Sequence, residues 1–208
     1  DWKCHNCGFK QYQGPTPGEC KQCGCSTKWK RKMIWKGKPN PQSWAYCFDA
    51  EPHFQYFEEY KKRPSTKAMR DELGYTESMS LQGSCFMCSR EDYWRLNLSD
   101  ETLGNWGNQG IEVAAKTWLS GGRVLINHAT WYAHMFRTQG GDFSFPYALN
   151  GVQTTKRNVK KLIWENGFKE QRYPVSWLIE KFWPVPGWTQ EQLQVLKQNE
   201  HKPEKFDG

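Results

Sequence analysis

The sequence predicts a mixed α/β chain that opens on a small four-cysteine ribbon and closes on a helical tail. Three observations predict it. Two Cys-x-x-Cys-Gly turns stand in the first 24 residues, short aromatic and apolar runs flank one helix-period segment in the middle, and three more helix-period segments follow Gly140-Gly141. The 208 residues suffice for one domain of ordinary size plus a small appendage. Only 37% of the residues are hydrophobic, but 12 Trp and an aromatic share of 15% point to a folded chain, because disordered chains lack such side chains. No run approaches the roughly 18 apolar residues of a spanning helix, and no apolar signal region opens the sequence. A cytoplasmic protein without a transmembrane segment is the expectation.

Three regions are expected: a ribbon over 1–27, a central α/β region over 28–150 and a helical tail over 151–208. In the first, Cys4-His5-Asn6-Cys7-Gly8 and Cys20-Lys21-Gln22-Cys23-Gly24 flank the turn cluster Gly14 to Gly18. Two residues between thiolates let one turn present both sulfurs to one ion, and two such turns complete a tetrahedral site. Cys4, Cys7, Cys20 and Cys23 are therefore the expected ligands of a structural Zn²⁺. A segment this short has too little apolar surface to fold without such a staple. Disulfides and a rubredoxin-like iron site are the competing readings, with Cys25 as a spare thiol.

The net charge of +7 resides in residues 1–40, where nine Lys or Arg face only Asp1 and Glu19. A basic ribbon beside Trp2, Phe9, Tyr12 and Trp29 could bind single-stranded nucleic acid by stacking and charge. That is the alternative function.

The central region reads as a strand, a turn at Lys36 to Pro41, and a short strand near Ser43 to Phe48. A mobile surface loop is expected over Lys61 to Ser78, because Pro64 and Gly74 break it. Met79 to Met87 reads as a buried strand carrying Cys85 and Cys88 as interior thiols, with Gly83 allowing close backbone approach. Arg90 to Leu96 reads as a short helix. Gln109 to Leu119 has helical spacing and stops at Gly121-Gly122. Two extended segments, Arg123 to Asn127 and Thr130 to Met135, complete the region. In the tail, helices are expected over Gln153 to Trp164, Val175 to Phe182 and Thr189 to Glu200, the last opened by a capping box. Lys156, Arg157, Lys160 and Lys161 form a basic, solvated face on the first. Trp177, Phe182, Trp183 and Trp188 read as core and turn.

From Met79 to Arg137 the chain passes through Gln82-Gly83-Ser84, Arg90-Glu91-Asp92-Tyr93-Trp94, Trp106-Gly107-Asn108-Gln109-Gly110-Ile111-Glu112, Trp118-Leu119-Ser120-Gly121-Gly122 and His134-Met135-Phe136-Arg137. This order resembles the C-terminal half of a GT-A glycosyltransferase of the family 2 type and is similar to the polypeptide N-acetylgalactosaminyltransferases. The resemblance implies a nucleotide-sugar donor and a hydroxyl acceptor on a glycan, lipid or protein. It implies that His134 is a ligand of catalytic Mn²⁺ or Mg²⁺, and that Arg137, Gly83 and Gly107 contact substrate. It further implies that Trp106, Gln109 and Glu112 line the catalytic centre. The sequence departs from the pattern at Gln109-Gly110, where many inverting members carry Glu-Asp with the Asp as base, so inverting and retaining chemistry both stay open. It departs again before Met79, where Asp49-Ala50-Glu51-Pro52-His53 is the nearest approach to the family's acidic metal motif. The donor-binding half is not legible in this chain: it is expected before Asp1 if the chain is a fragment, and donor binding is not expected if the chain is complete.

Overall fold

The computed structural model describes residues 2–11, 19–25, 33–35, 37, 40, 43–104, 106–134 and 151–203. The chain divides into two units, Asp1–Gln42 with Tyr132–Ala148, and Ser43–Trp131 with Leu149–Gly208.

In the first unit, β1 (Trp2–Cys4) lies between β2 (Lys10–Gln11) and β3 (Met33–Trp35), antiparallel to both. Its small core is Cys4 and Cys20, with Phe9 and Cys25 packed against them. This is the apolar poverty that the sequence predicts, and it leaves the thiols to hold the two knuckles together.

The second unit is organised by α4 (Gln109–Leu119), whose residues from Gly110 to Leu119 are buried except for the half-buried Thr117. A helix buried all round belongs in the middle of its unit. Helix α4 packs on α6 (Val175–Lys181) and on the wide turn Lys161–Asn166 that extends α5 (Val152–Lys160). Trp118, Phe48, Phe57, Met79, Ile111, Leu119, Ile163, Leu178 and Phe182 form the centre of this core. The indole N–H of Trp118 donates to Ser78 O at 2.9 Å, and that of Trp188 to Phe48 O at 2.9 Å, so both large side chains are buried without leaving a donor unpaired.

Two small antiparallel sheets flank the helices. In one, β4 (Tyr46–Phe48) pairs with β5 (Phe54–Tyr56) in the register Cys47↔Gln55; in the other, β6 (Tyr75–Glu77) pairs with β7 (Leu125–Asn127) in the register Thr76↔Ile126. Helix α7 (Gln190–Asn199) closes the tail, with Thr189 and Gln192 forming the expected capping box. Beyond its end, Glu200 accepts the backbone N–H and hydroxyl of Ser176 at 2.8 and 2.6 Å and caps the start of α6. Trp177 and Trp183 pack against the core beside the buried Phe182 and Trp188. Among the described residues, no helix is long and apolar enough to cross a membrane.

Two expectations are corrected. Lys61 to Ser78 is not a loop but carries the end of α1 (Glu58–Lys62), α2 (Pro64–Leu73) and β6. Pro64 and Gly74 are its boundaries and not its breakers: Pro64 sits at the first helical position, where its missing N–H costs nothing, and Gly74 ends the helix at φ 69°. Met79 to Met87 is not a buried strand. Met79, Ser80 and Leu81 are buried and Ser80 bridges Tyr46, but from Ser84 the chain turns outward and Cys85, Met87 and Cys88 are exposed. The polar Gln82 and Ser84 interrupt the apolar run, and Ser89 beyond it caps α3 (Arg90–Arg95). The segment Thr130–His134 is irregular, and Met135 lies outside the described residues.

Candidate functional site

In the second unit the family-like residues gather at the N-terminus of α4. Asn108 adopts φ 55°, turns the chain into the helix, and offers its carbonyl to the N–H groups of Ile111 and Glu112 at 3.0 and 2.9 Å. Its side-chain amide donates to Pro52 O at 3.2 Å, tying this corner to the β4–β5 connection. Gly107 has φ 100°, a conformation that favours glycine, and a Cβ there would meet Val152 of α5 at 3.4 Å. Trp106, beside it, is 40% exposed.

Gly83 and Gly110 permit the closest approach in the site. A Cβ on Gly110 would lie 1.9 Å from Leu81 O, and one on Gly83 would lie 3.0 Å from Gln109 Oε1. The Gln82–Ser84 turn thus lies directly on the first turn of α4. Gln109 is exposed and donates its Nε2 to Ser99 Oγ at 2.8 Å.

Glu112, one turn further along the helix, also meets Ser99, from a buried position. It is 2% exposed, its Oε2 accepts Ser99 N at 3.0 Å, and its Oε1 lies 2.7 Å from the equally buried Lys116 Nζ. Lys116 also donates to Asn97 O at 2.6 Å. Burial raises the Glu112 carboxyl above its usual range, with Lys116 pulling the other way. The pair holds Asn97 and Ser99, both at positive φ, under the start of α4. Glu112 thereby positions Ser99, which in turn holds Gln109.

Sequence reasoning passed over Asp49 and His53 as a misplaced metal motif. The fold brings them to the Asn108 corner. Asp49 Oδ1 accepts the backbone N–H groups of Glu51 and His53 at 2.9 Å each, and Oδ2 accepts His53 Nδ1 at 2.9 Å and Gln55 Nε2 at 3.0 Å. Burial opposes the charge, but these donors together hold the Asp49 carboxyl below its usual range. The i, i+2, i+4 spacing of Asp49, Glu51 and His53 about Pro52 was the signal for this turn. The basic face of α5 is engaged as well: Lys156 Nζ meets His53 Nε2 at 2.6 Å and Lys160 pairs with Glu51 at 2.7 Å.

In the first unit the four expected thiols come together, their Sγ atoms all within 4.8 Å of one another. Each knuckle is closed by backbone bonds: Gly8 N to Cys4 O at 2.9 Å in one, Gly24 N to Cys20 O at 2.8 Å in the other, with both glycines at positive φ. Cys25 Sγ lies 3.3 Å from Cys4 Sγ. A hydrogen bond from Asn6 and the backbone of Cys25 hold Cys23 down at about 6. Cys7 is pushed up to about 12: a backbone bond from Phe9 favours its thiolate, but burial and the neighbouring sulfurs outweigh it. Four thiolates so close would repel one another, which is why Cys7 keeps its proton, and a cation at their centre would relieve that repulsion. His134 is exposed and also belongs to this unit, whereas Arg137 lies outside the described residues.

The comparisons give these arrangements a context. A Drosophila melanogaster protein provisionally named polypeptide N-acetylgalactosaminyltransferase 13 is 32% identical over 129 residues, 60% of this chain and 22% of that protein. Human N-acetylgalactosaminyltransferase 7 is 25% identical over 148 residues, 70% of this chain and 19% of that protein. Over these stretches the chain is homologous to the polypeptide N-acetylgalactosaminyltransferases. It spans about a fifth of the length of these relatives. Human polypeptide N-acetylgalactosaminyltransferase 3 is 29% identical over 106 residues, 50% of this chain and 16% of that protein. A crystal structure of GalNAc-T7 with UDP, GalNAc and Mn²⁺ aligns at 18% identity and a TM-score of 0.47, covering 80% of this chain and 29% of that one. No family model matches the chain.

Proposed function

We propose that the chain is the acceptor-side part of a GT-A glycosyltransferase of the polypeptide N-acetylgalactosaminyltransferase type. It works with a donor-binding half outside these residues to move a sugar from a nucleotide donor to a hydroxyl of a protein. The anomeric carbon exchanges its bond to the diphosphate for a bond to the acceptor oxygen, and the hydroxyl proton leaves with the departing diphosphate or to solvent. The observation that carries this reading is the 32% identity over 129 residues with a named transferase.

In this reading Trp106, Gly107, Gly83 and Gln109 line the acceptor mouth at the start of α4, where the turn at Gly83 closes on the helix. Glu112 positions that mouth from within through Ser99. His134 contributes one ligand to a divalent Mn²⁺ or Mg²⁺, which when bound would neutralise the donor diphosphate; Arg137 would pair with the same phosphates. Among the described residues the four thiols are the only group of three or more ligating side chains, so the metal's other ligands would come from elsewhere. The thiols fit a structural Zn²⁺ in number, spacing and donor type.

The test uses the protein expressed from its whole reading frame, with a panel of nucleotide sugars and a threonine peptide. Transfer that requires Mn²⁺ or Mg²⁺, stops with chelator and is lost in His134→Ala is the expected result. No transfer from any donor with metal present would overturn the reading.

A further inference from the structure

The corner beside Trp106 holds a cation that the transfer reaction itself does not use. We infer that Lys156, oriented by the Asp49–His53 pair, anchors an acidic group, carboxylate or phosphate, that the acceptor carries next to its reactive hydroxyl. This rests on the transferase reading for the identity of the acceptor, but the anchor is built from geometry alone.

The chain of contacts fixes one hydrogen-bonding state. Asp49 is saturated with four donors, so its carboxylate is an acceptor only, and His53 must place its ring proton on Nδ1. His53 Nε2 is then a lone-pair acceptor, and Lys156 Nζ at 2.6 Å donates to it. A lysine ammonium has three N–H donors. One is spent on His53, which holds the head group in place and leaves the others directed away from the ring. The side-chain freedom normally lost when a flexible lysine captures an anion is thus largely given up in advance.

Position makes the cation useful. Lys156 lies one turn along α5 from Val152, which faces Gly107, and next to Thr155, which a Cβ on Gly104 would strike. On the other side, Pro52 O, one residue before His53, holds Asn108 at the start of α4. The ammonium therefore stands at the rim of the Trp106–Gly107 loop. The acids nearby are already committed: Asp49 to its four donors and Glu51 to Lys160 at 2.7 Å. Helix α5 carries Lys156, Arg157 and Lys160 with no acidic residue. The His53 side chain is 58% exposed, so a ligand can reach this point from solvent.

The test is binding to the 208-residue chain, by calorimetry at low salt, of a threonine peptide carrying Glu, phosphoserine or Gln beside the threonine. The acidic peptides should bind about tenfold more tightly than the Gln peptide, the size of one charge-assisted contact. That preference should vanish in Lys156→Gln, persist in Lys156→Arg, fall part-way in His53→Gln and be unchanged in Arg157→Gln. A gain shared by Glu and phosphoserine assigns any oxyanion, and a gain for phosphoserine alone assigns phosphate. Equal binding of all three peptides, or a preference that survives Lys156→Gln or is lost equally in Arg157→Gln, would overturn the proposal. No donor is present in this measurement. Charge discrimination without transfer by the full-length protein would count against the transferase reading alone, and transfer without charge discrimination against the anchor alone.

Discussion

Replacing Lys116 with methionine removes the cation from a fully buried pair while keeping most of the apolar stem. Glu112 Oε1 loses a partner at 2.7 Å, and Asn97 O loses a donor at 2.6 Å. The lost hydrogen bond costs about 1 kcal/mol at any pH. The lost charge costs more: breaking a buried pair from one side typically costs 3–5 kcal/mol, roughly, because the remaining charge is stranded. Here, however, Glu112 has an escape, since burial already raises its carboxyl and without Lys116 it rises further. A carboxyl whose folded pKa lies above its unfolded value contributes stability that is fully present below the unfolded value and lost as pH rises through the folded one. The variant should therefore be only about 1–2 kcal/mol weaker near pH 4, and about 3–4 kcal/mol weaker near pH 8, with a slope of at most about 1.4 kcal/mol per pH unit in between. With a urea m-value of about 2 kcal/mol/M, the midpoint should fall by about 0.5–1 M at the acid end and 1.5–2 M at the basic end. Adding Glu112→Leu should restore most of the loss at pH 8. A midpoint shift equal at both pH values, or none, would refute the argument that Glu112 is a buried, positioning carboxyl.

Three further outcomes are expected. Gly110→Ala should lower thermal stability by about 1–3 kcal/mol, since its Cβ would lie 1.9 Å from Leu81 O; an unchanged melting temperature would show that the Gln82–Ser84 turn does not press on α4. Trp118→Ala should cost about 3–5 kcal/mol, read by urea denaturation, because the indole is 2% exposed in the central core and its N–H is bonded to Ser78 O. Metal analysis of the purified chain should find one zinc per molecule, lost in Cys20→Ser and kept in Cys25→Ser; retention in the first variant would mean that Cys25 substitutes as a ligand.

The sequence made the helices around the site legible because their signals are local. Gln109 to Leu119 was readable from apolar spacing and its glycine stop, and α7 from its capping box. The thiol cluster was readable from spacing alone. What failed was punctuation without context: Pro64 and Gly74 are equally good signs of a loop and of a helix that begins at one and ends at the other. The exposed Cys85 and Cys88 were misread because their apolar neighbours suggested a strand, whereas partners for such a strand are a tertiary matter. The Glu112–Lys116 pair lay in plain view at helical i, i+4 spacing, but spacing cannot say which way a helix face turns. Asp49, His53 and Lys156 could not be joined from sequence, because more than a hundred positions separate the histidine from the lysine.

The near-complete burial of α4 also limits how such a site can diversify. A helix enclosed on every side has no face on which substitutions pass unnoticed, so its body is held nearly constant by packing alone. The segments that meet near its first turn are partly open to solvent: the turn at Gly83, the Trp106–Asn108 loop, the Asp49–His53 connection and the start of α5. Change at this corner would fall first on those four edges, around a fixed peg, without redesign of the core that supports it.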